Sequence, residues 1–306
     1  MAHWYMLLMC SVLVFCTAVR SALPADVAII SSSDILPYTT CREGIQEYLA
    51  EYTITATTIN EDISKGREAL EDIKREKPKV VIAIGPQAAF ALAQEPALGN
   101  SRLFCMILNP QRVLAKAGLF SGVSLNIPPD MQMRTIKQAF ANRKRVGIFY
   151  SKDPNQEIVD ALTRAATAYD LVVVPLPIGS AQEIPGLLSS RETPFDVLLI
   201  IPDEKLGSTK IVEYLIKESL RRNLPVVGYN SWFAKNGAVL SFIIDYRGIG
   251  RQTGAIARRM LNGSLLDTVT VVPPEHVKIS IDVKTAEKIG VAVSPDILKQ
   301  ADEVQR

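Results

Sequence analysis

Histidine is almost missing from this chain: His3 and His276 are the only two among 306 residues. Histidine is the usual general base at neutral pH and the commonest metal ligand, so a His-based triad or zinc site would rest on His276 alone. The other routes to such chemistry are missing as well. There is no HExxH, no paired CxxC, no GxSxG and no phosphate loop closed by Gly-Lys-Ser/Thr. Gly248-Ile249-Gly250 with Gly254 imitates a dinucleotide fingerprint, but its third glycine stands one place late. These glycines read instead as a surface for close helix packing. Hydrolase, metalloenzyme and dinucleotide readings therefore fall away, and no enzyme activity, catalytic residue, cofactor or metal is expected.

Excess charge is also missing. Lys and Arg number 34 against 32 Asp and Glu, a formal net charge of +2, too small to argue for nucleic acid or an acidic membrane surface as a partner. The tightest basic cluster, Arg143-Lys144-Arg145, stands just before a strand and reads as a solvated loop. Cysteine is scarce: four residues, of which Cys10 and Cys16 lie in an apolar leader. Cys41 and Cys105 remain. An exported protein could pair them, but Cys41 opens an expected helix and Cys105 lies inside the apolar run Phe104–Leu108, so two buried free thiols are the reading.

Only one long apolar run occurs, Met6–Val19. It has signal-peptide length, is short for a membrane span, and is followed by small residues, with Ala22 or Ala25 as the cleavage point. No Lys or Arg precedes it, and the bulky Phe15 before Cys16 argues against a lipoprotein site. Residues 1–25 are thus expected to be a cleaved signal peptide, leaving a periplasmic protein with no direct membrane insertion.

What is present is a rhythm. Short runs rich in Val and Ile recur: 27–30, 54–59, 80–84 and 104–108, then 146–150, 171–174, 197–201, 226–227 and 238–244. Most are continuous rather than alternating, as strands covered on both faces should be. Amphipathic runs lie between them: Asp62 caps 63–76, Asn126 opens 130–140, Asn155 precedes 157–169 and Ser208 precedes 210–222. This alternation predicts an α/β fold of two doubly wound parallel-sheet lobes, built by right-handed crossovers and joined by a three-strand hinge. The crossings are expected near 121–125, 244–247 and 271–275. They divide the chain into a first lobe of 26–122 and 246–270 and a second of 123–245 and 271–306.

Ligands of such sheets gather beyond the carboxyl ends of the strands. Here those ends carry Ser31-Ser32-Ser33-Asp34, Gly85-Pro86-Gln87 and Asn109-Pro110 from the first block. Tyr150-Ser151, Pro202-Asp203-Glu204, Tyr229-Asn230-Ser231-Trp232 and Asp245-Tyr246 come from the second. Together they would line one polar, aromatic-rich crevice.

Several stretches, in order and spacing, resemble a known family. They are AIGPQAA after the third strand, NP after the fourth, SGVSLNIPPDMQMRTIKQAF, RVGIFYSKDPN, the segment from Pro225 to Gly263, and VKISIDVKTAEKIGVAVSP. The chain is similar over about 27–295 to the exported substrate-binding components of ABC transporters related to the aromatic-amino-acid-binding proteins, with the type I periplasmic-binding-protein fold. The resemblance implies a monomer whose interlobe cleft closes on a small amphiphilic ligand, an amino acid or related compound. It also implies partners, an ABC permease and its ATPase. The same fold can serve instead as a periplasmic sensor feeding a membrane signalling receptor. Carried onto this chain, the ligand site draws on Ser32, Ser33, Gln87 and Asn109 from the first lobe and Ser151, Asn155, Asp203, Asn230 and Asp245 from the second lobe or hinge. Related proteins usually carry an acid where Asn109 stands, so Asp203 and Asp245 become the expected partners of a ligand amine. Asp245 has a competing role as a brace of the hinge.

Overall fold

A computed structural model describes residues 25–189, 194–264 and 268–306; the expected signal peptide lies outside the described residues. The chain enters through β1 (Val27–Ser31), α1 (Leu36–Tyr48), β2 (Ile54–Thr58), α2 (Ile63–Glu76), β3 (Val80–Ile84), α3 (Pro86–Ala93), β4 (Arg102–Ile107), α4 (Pro110–Val113) and β5 (Gly122–Ser124). It then crosses to α5 (Pro129–Ala139), β6 (Arg145–Tyr150), α6 (Lys152–Ala166), β7 (Val172–Pro177), α7 (Ile184–Ser189), β8 (Val197–Leu199), α8 (Thr209–Arg221), β9 (Val226–Gly228), α9 (Ser231–Lys235) and β10 (Leu240–Ile244). A return adds α10 (Tyr246–Leu261) and β11 (Val271–Val272). A last crossing gives β12 (Val277–Asp282), α11 (Val283–Lys288), α12 (Pro295–Gln300) and β13 (Glu303–Gln305).

Two sheets result. The first runs β11-β5-β4-β3-β1-β2 and is parallel throughout; the second runs β13-β12-β10-β9-β8-β6-β7, in which only the β10–β12 pair is antiparallel. Alternate residues of each strand feed opposite faces, and both faces are covered. In the first lobe Ile29, Ile82 and Val123 pack under α1 and α10, while Ile30, Val81 and Phe104 pack under α2 and α3. In the second, Ile148 and Phe242 meet α5 and α6, whereas Phe149 and Leu198 meet α7 and α8. Two-faced burial is why these strands read as unbroken apolar runs. β7 carries Pro175 and Pro177 and sits at a sheet edge, where proline costs no ladder bond.

The helices α1 and α10 cross at glycines. A Cβ at Gly250 would overlap the Cys41 carbonyl oxygen, and one at Gly44 would overlap that of Arg247. Arg247 then reaches back to Glu43 and Glu47 on α1. Gly250 and Gly254 therefore form a packing face against α1, the latter on Tyr48, while Gly248 leaves room for the Asp245 carboxylate.

The structure shifts several boundaries. β5 and β11 pair with each other in the first sheet, so the crossings fall at 125–128, 244–246 and 273–276. The expected divisions at 122/123 and 270/271 cut too early, because a strand beside a hinge belongs to the sheet that bonds it. Asp62 caps α2, accepting from the Ser64 amide at 2.9 Å. Asn126 and Asn155 are not caps: α5 starts at Pro129 behind Pro128, and α6 starts at Lys152 behind Ser151. Cys41 lies in the middle of α1 rather than at its start.

Candidate functional site

Between the lobes, on the hinge side, lies a cavity of about 710 Å³. The first lobe contributes the end of β4 and α4: Leu108, Asn109, Gln111, Arg112 and Ala115. The crossings contribute Leu125, Asn126, Ile127, Ile244 and Tyr246, and the second lobe contributes Gln132, Asp153, Pro154, Glu157, Ile158, Ala161, Ile200, Ile201, Pro202, Tyr229 and Asn230. Both lobes and two crossings thus share one wall-to-wall space.

Local strain aims the first-lobe wall. β4 slips register between Cys105 and Ile107 at a left-handed Met106, and Asn109 is left-handed again at φ 51°. Asn is among the residues that tolerate this region, and Pro110 then starts α4 with its φ already suited to a helix. The Asn109 amide donates to Asn126 Oδ1 at 2.9 Å, tying the strand end to the crossing. Its side chain caps nothing in the helix it precedes, so its carboxamide is free to meet a ligand.

The carboxylates expected to hold a ligand amine are otherwise engaged. Asp203 Oδ2 accepts from the Ser151 amide at 2.6 Å and Asn155 Nδ2 at 2.7 Å; Oδ1 accepts from Ser151 Oγ at 2.7 Å and the Lys205 amide at 2.8 Å. Burial pushes the Asp203 carboxyl up, but the four donors outweigh it and hold the group below its ordinary value. Ser151, Asn155 and Asp203 are brought together, then, as one saturated knot that joins β6, α6 and the end of β8. None of the three lines the cavity. Asp245 Oδ1 accepts from the Gly248 amide at 2.9 Å and caps α10, with the Arg251 guanidinium 3.7 Å from Oδ2.

Of the other expected residues, Asn230 lines the cavity while its Oδ1 caps α9 through the Trp232 and Phe233 amides. Ser32 is buried, and its Oγ accepts from the Ala88 amide at 3.0 Å to cap α3. A Cβ at Gly85, whose φ is 89°, would strike that hydroxyl and the Tyr38 ring. Ser33 keeps a buried hydroxyl without a partner. Ser32, Ser33 and Gln87 follow β1 and β3, which lie beyond β4 as seen from the hinge, and they do not reach the cavity.

Sequence reasoning missed the cavity's free charges. Arg112 enters from the first lobe, Asp153 and Glu157 from the second, and none of the three is held by an ion pair or side-chain hydrogen bond. Asp153 and Glu157 are four apart on α6, hence on one face, a signal that is readable once the helix is started at Lys152. Tyr229 and Tyr246 supply the aromatic walls, and burial pushes both phenols up, helped at Tyr229 by the Asp203 charge. Trp232 packs edge-on against Phe233, and the Tyr150 hydroxyl donates to Gln156. Among the described residues no group of three His, Cys, Asp or Glu side chains could hold a metal, and no helix is long and apolar enough to cross a membrane.

Two parallel-sheet lobes tied by three crossings, with a lined space beside the hinge, define a type I periplasmic-binding-protein fold. Residues 27–305 match the family of ABC transporter substrate binding proteins, and the chain belongs to it. The family is one of solute binders and not an enzyme class. Solved structures agree on the fold. An ABC domain from Streptococcus pneumonia in complex with L-Trp is 21% identical, with a TM-score of 0.61, over 91% of this chain and 99% of that one. A ligand-free, open substrate binding protein with adhesive properties from Clostridium difficile is 20% identical, TM-score 0.74, over 91% and 98%. An arabinose binding protein from Geobacillus stearothermophilus is 11% identical, TM-score 0.62, over 83% and 95%. No curated protein matches the sequence.

Proposed function

We propose that this protein is the exported, periplasmic solute receptor of an ABC importer, capturing a small amphiphilic ligand, an amino acid or related compound, and delivering it to a membrane permease and ATPase. The cavity carries this reading: it is built by both lobes and by the crossings between them, so a ligand that fills it favours closure.

The distribution of uncommitted groups refines the ligand's placement. Arg112 on the first-lobe wall suits a carboxylate, Asp153 and Glu157 on the opposite wall suit an ammonium, and Asn109 offers a neutral carboxamide between apolar surfaces. Tyr229 and Tyr246 offer faces to a planar group, worth about 0.5–1.5 kcal/mol each beyond burial. In this placement Asp203 and Asp245 serve the framework, and Ser32, Ser33 and Gln87 meet a ligand only if closure brings β1 and β3 toward the second lobe. Denaturing the natively purified protein and identifying the released small molecule by mass spectrometry tests the reading. Recovery of a zwitterion supports it. Recovery of a neutral sugar, with no binding of any amino acid in calorimetry, would overturn the ligand class.

A further inference from the structure

Two thiols meet in the core of the first lobe. Cys41, in the middle of α1, and Cys105, in β4, are fully buried, and their Sγ atoms stand 3.6 Å apart. Ile45, Ile84 and Ile249 belong to the apolar cluster around them. A disulfide needs its sulfurs at about 2.05 Å, so the pair stands within ~1.5 Å of bonding distance.

We propose that Cys41 and Cys105 form an oxidative crosslinking site, whose disulfide fastens α1 to β4 when the chain folds in the presence of a disulfide-bearing oxidant. One protein thiolate attacks the oxidant's S–S bond, forming a mixed disulfide and releasing one small thiol. The second protein thiolate then attacks the protein sulfur of that mixed disulfide and expels the other. The two cysteines lose two protons and two electrons, and the oxidant's disulfide is reduced to two thiols.

The timing follows from the surroundings. In the folded lobe the pair is closed to solvent. Contact with the Cys105 sulfur, and then burial, push the Cys41 thiol well above its ordinary value, away from the reactive thiolate. Exchange therefore belongs to the unfolded or partly folded chain, and the covalent state is set as the lobe forms. Beyond Cys16 these are the only two cysteines, so no other pairing competes within the described residues. Both lie in one lobe, and the crosslink does not tie the lobes to each other.

The test is to unfold the purified protein, carrying Cys10→Ser and Cys16→Ser so that only the core pair can exchange, with reductant and refold it in parallel with oxidised plus reduced glutathione or with reductant alone. Each sample is then alkylated in denaturant and weighed. Oxidative refolding should give a product that takes no alkyl group, is lighter by two hydrogen atoms, and melts about 5–10 °C above the reduced form, as closing a loop of this length predicts. Reduced protein that is already folded should stay doubly alkylatable in the same glutathione buffer. A Cys41→Ala/Cys105→Ala double variant should melt identically after either refolding. Two free thiols after oxidative refolding, or a crosslinked form that melts at or below the reduced one, would overturn the site. Oxidation of the folded protein as fast as the unfolded chain would overturn the timing.

Discussion

Replacing Asp203 by Asn separates a framework carboxylate from a ligand-binding one. The two oxygens accept four hydrogen bonds, two each, from Ser151, Asn155 and Lys205. An amide placed with its nitrogen at Oδ2 would face two donors, the Ser151 N–H and the Asn155 amide. Placed at Oδ1 it faces the Ser151 hydroxyl, which can turn to accept, and the Lys205 N–H, which cannot. The second orientation is cheaper, so the variant loses one backbone bond and the charge assistance of the rest. A charge-assisted bond contributes about 1.5–3 kcal/mol net, so the loss is about 2–3 kcal/mol. For a protein of this size that is a fall of about 3–5 °C in melting temperature, measurable without ligand by calorimetry. The pH dependence has a fixed sign. Because the folded carboxyl lies below its ordinary value, its contribution is complete above the unfolded value near ~4 and is lost as pH falls through the folded one. The gap between parent and variant should therefore narrow in strong acid. An Asp203→Asn protein that melts within about 1 °C of its parent at neutral pH would refute the argument. It would return Asp203 to the list of ligand groups.

Other expectations follow from the cleft and the helix crossing. Arg112→Ala and Glu157→Gln should each weaken binding of the co-purified ligand by roughly tenfold to a hundredfold in calorimetry, with unchanged melting without ligand, since neither side chain bonds to the protein. Saturating ligand should reduce the radius of gyration in solution scattering, as closure about three crossings requires; an unchanged value would mean that the lobes are fixed. Gly250→Ala should cost about 1–3 kcal/mol, because its methyl must displace backbone rather than a pliable side chain, whereas Gly263→Ala, at a left-handed position in open space, should cost only the backbone strain, about 1 kcal/mol.

The two-lobed parallel architecture was legible because strands such as VVIAI are buried on both faces and announce themselves as apolar runs. β12 was not, since VKISID pairs antiparallel and leaves Lys278 exposed, which breaks the run. The start of α6 was misplaced because Pro154-Asn155 reads as a breaker and cap, although proline is tolerated within a first helical turn, where its amide has no partner to lose. The site was legible only as a set of strand ends. Asn109 and Asn230 reach the cavity, while Ser32 and Gln87 do not, and that difference depends on how far each strand lies from the hinge. A carboxylate's availability is equally hidden: nothing in the string PDEK says that four donors converge on Asp203.

The late return of the chain to its first lobe has a consequence for synthesis. Ile249, Ala257 and Met260 of α10 close the same core face as Ile29 and Ile45, yet they follow ten strands that span both sheets. The second lobe in turn waits for β12, whose Ile281 is fully buried against β10. Neither core can be sealed while the chain is still emerging, so the nascent protein carries unfinished surfaces until its last residues appear. That delay suits the export proposed for this protein, in which the chain is threaded elsewhere before it folds.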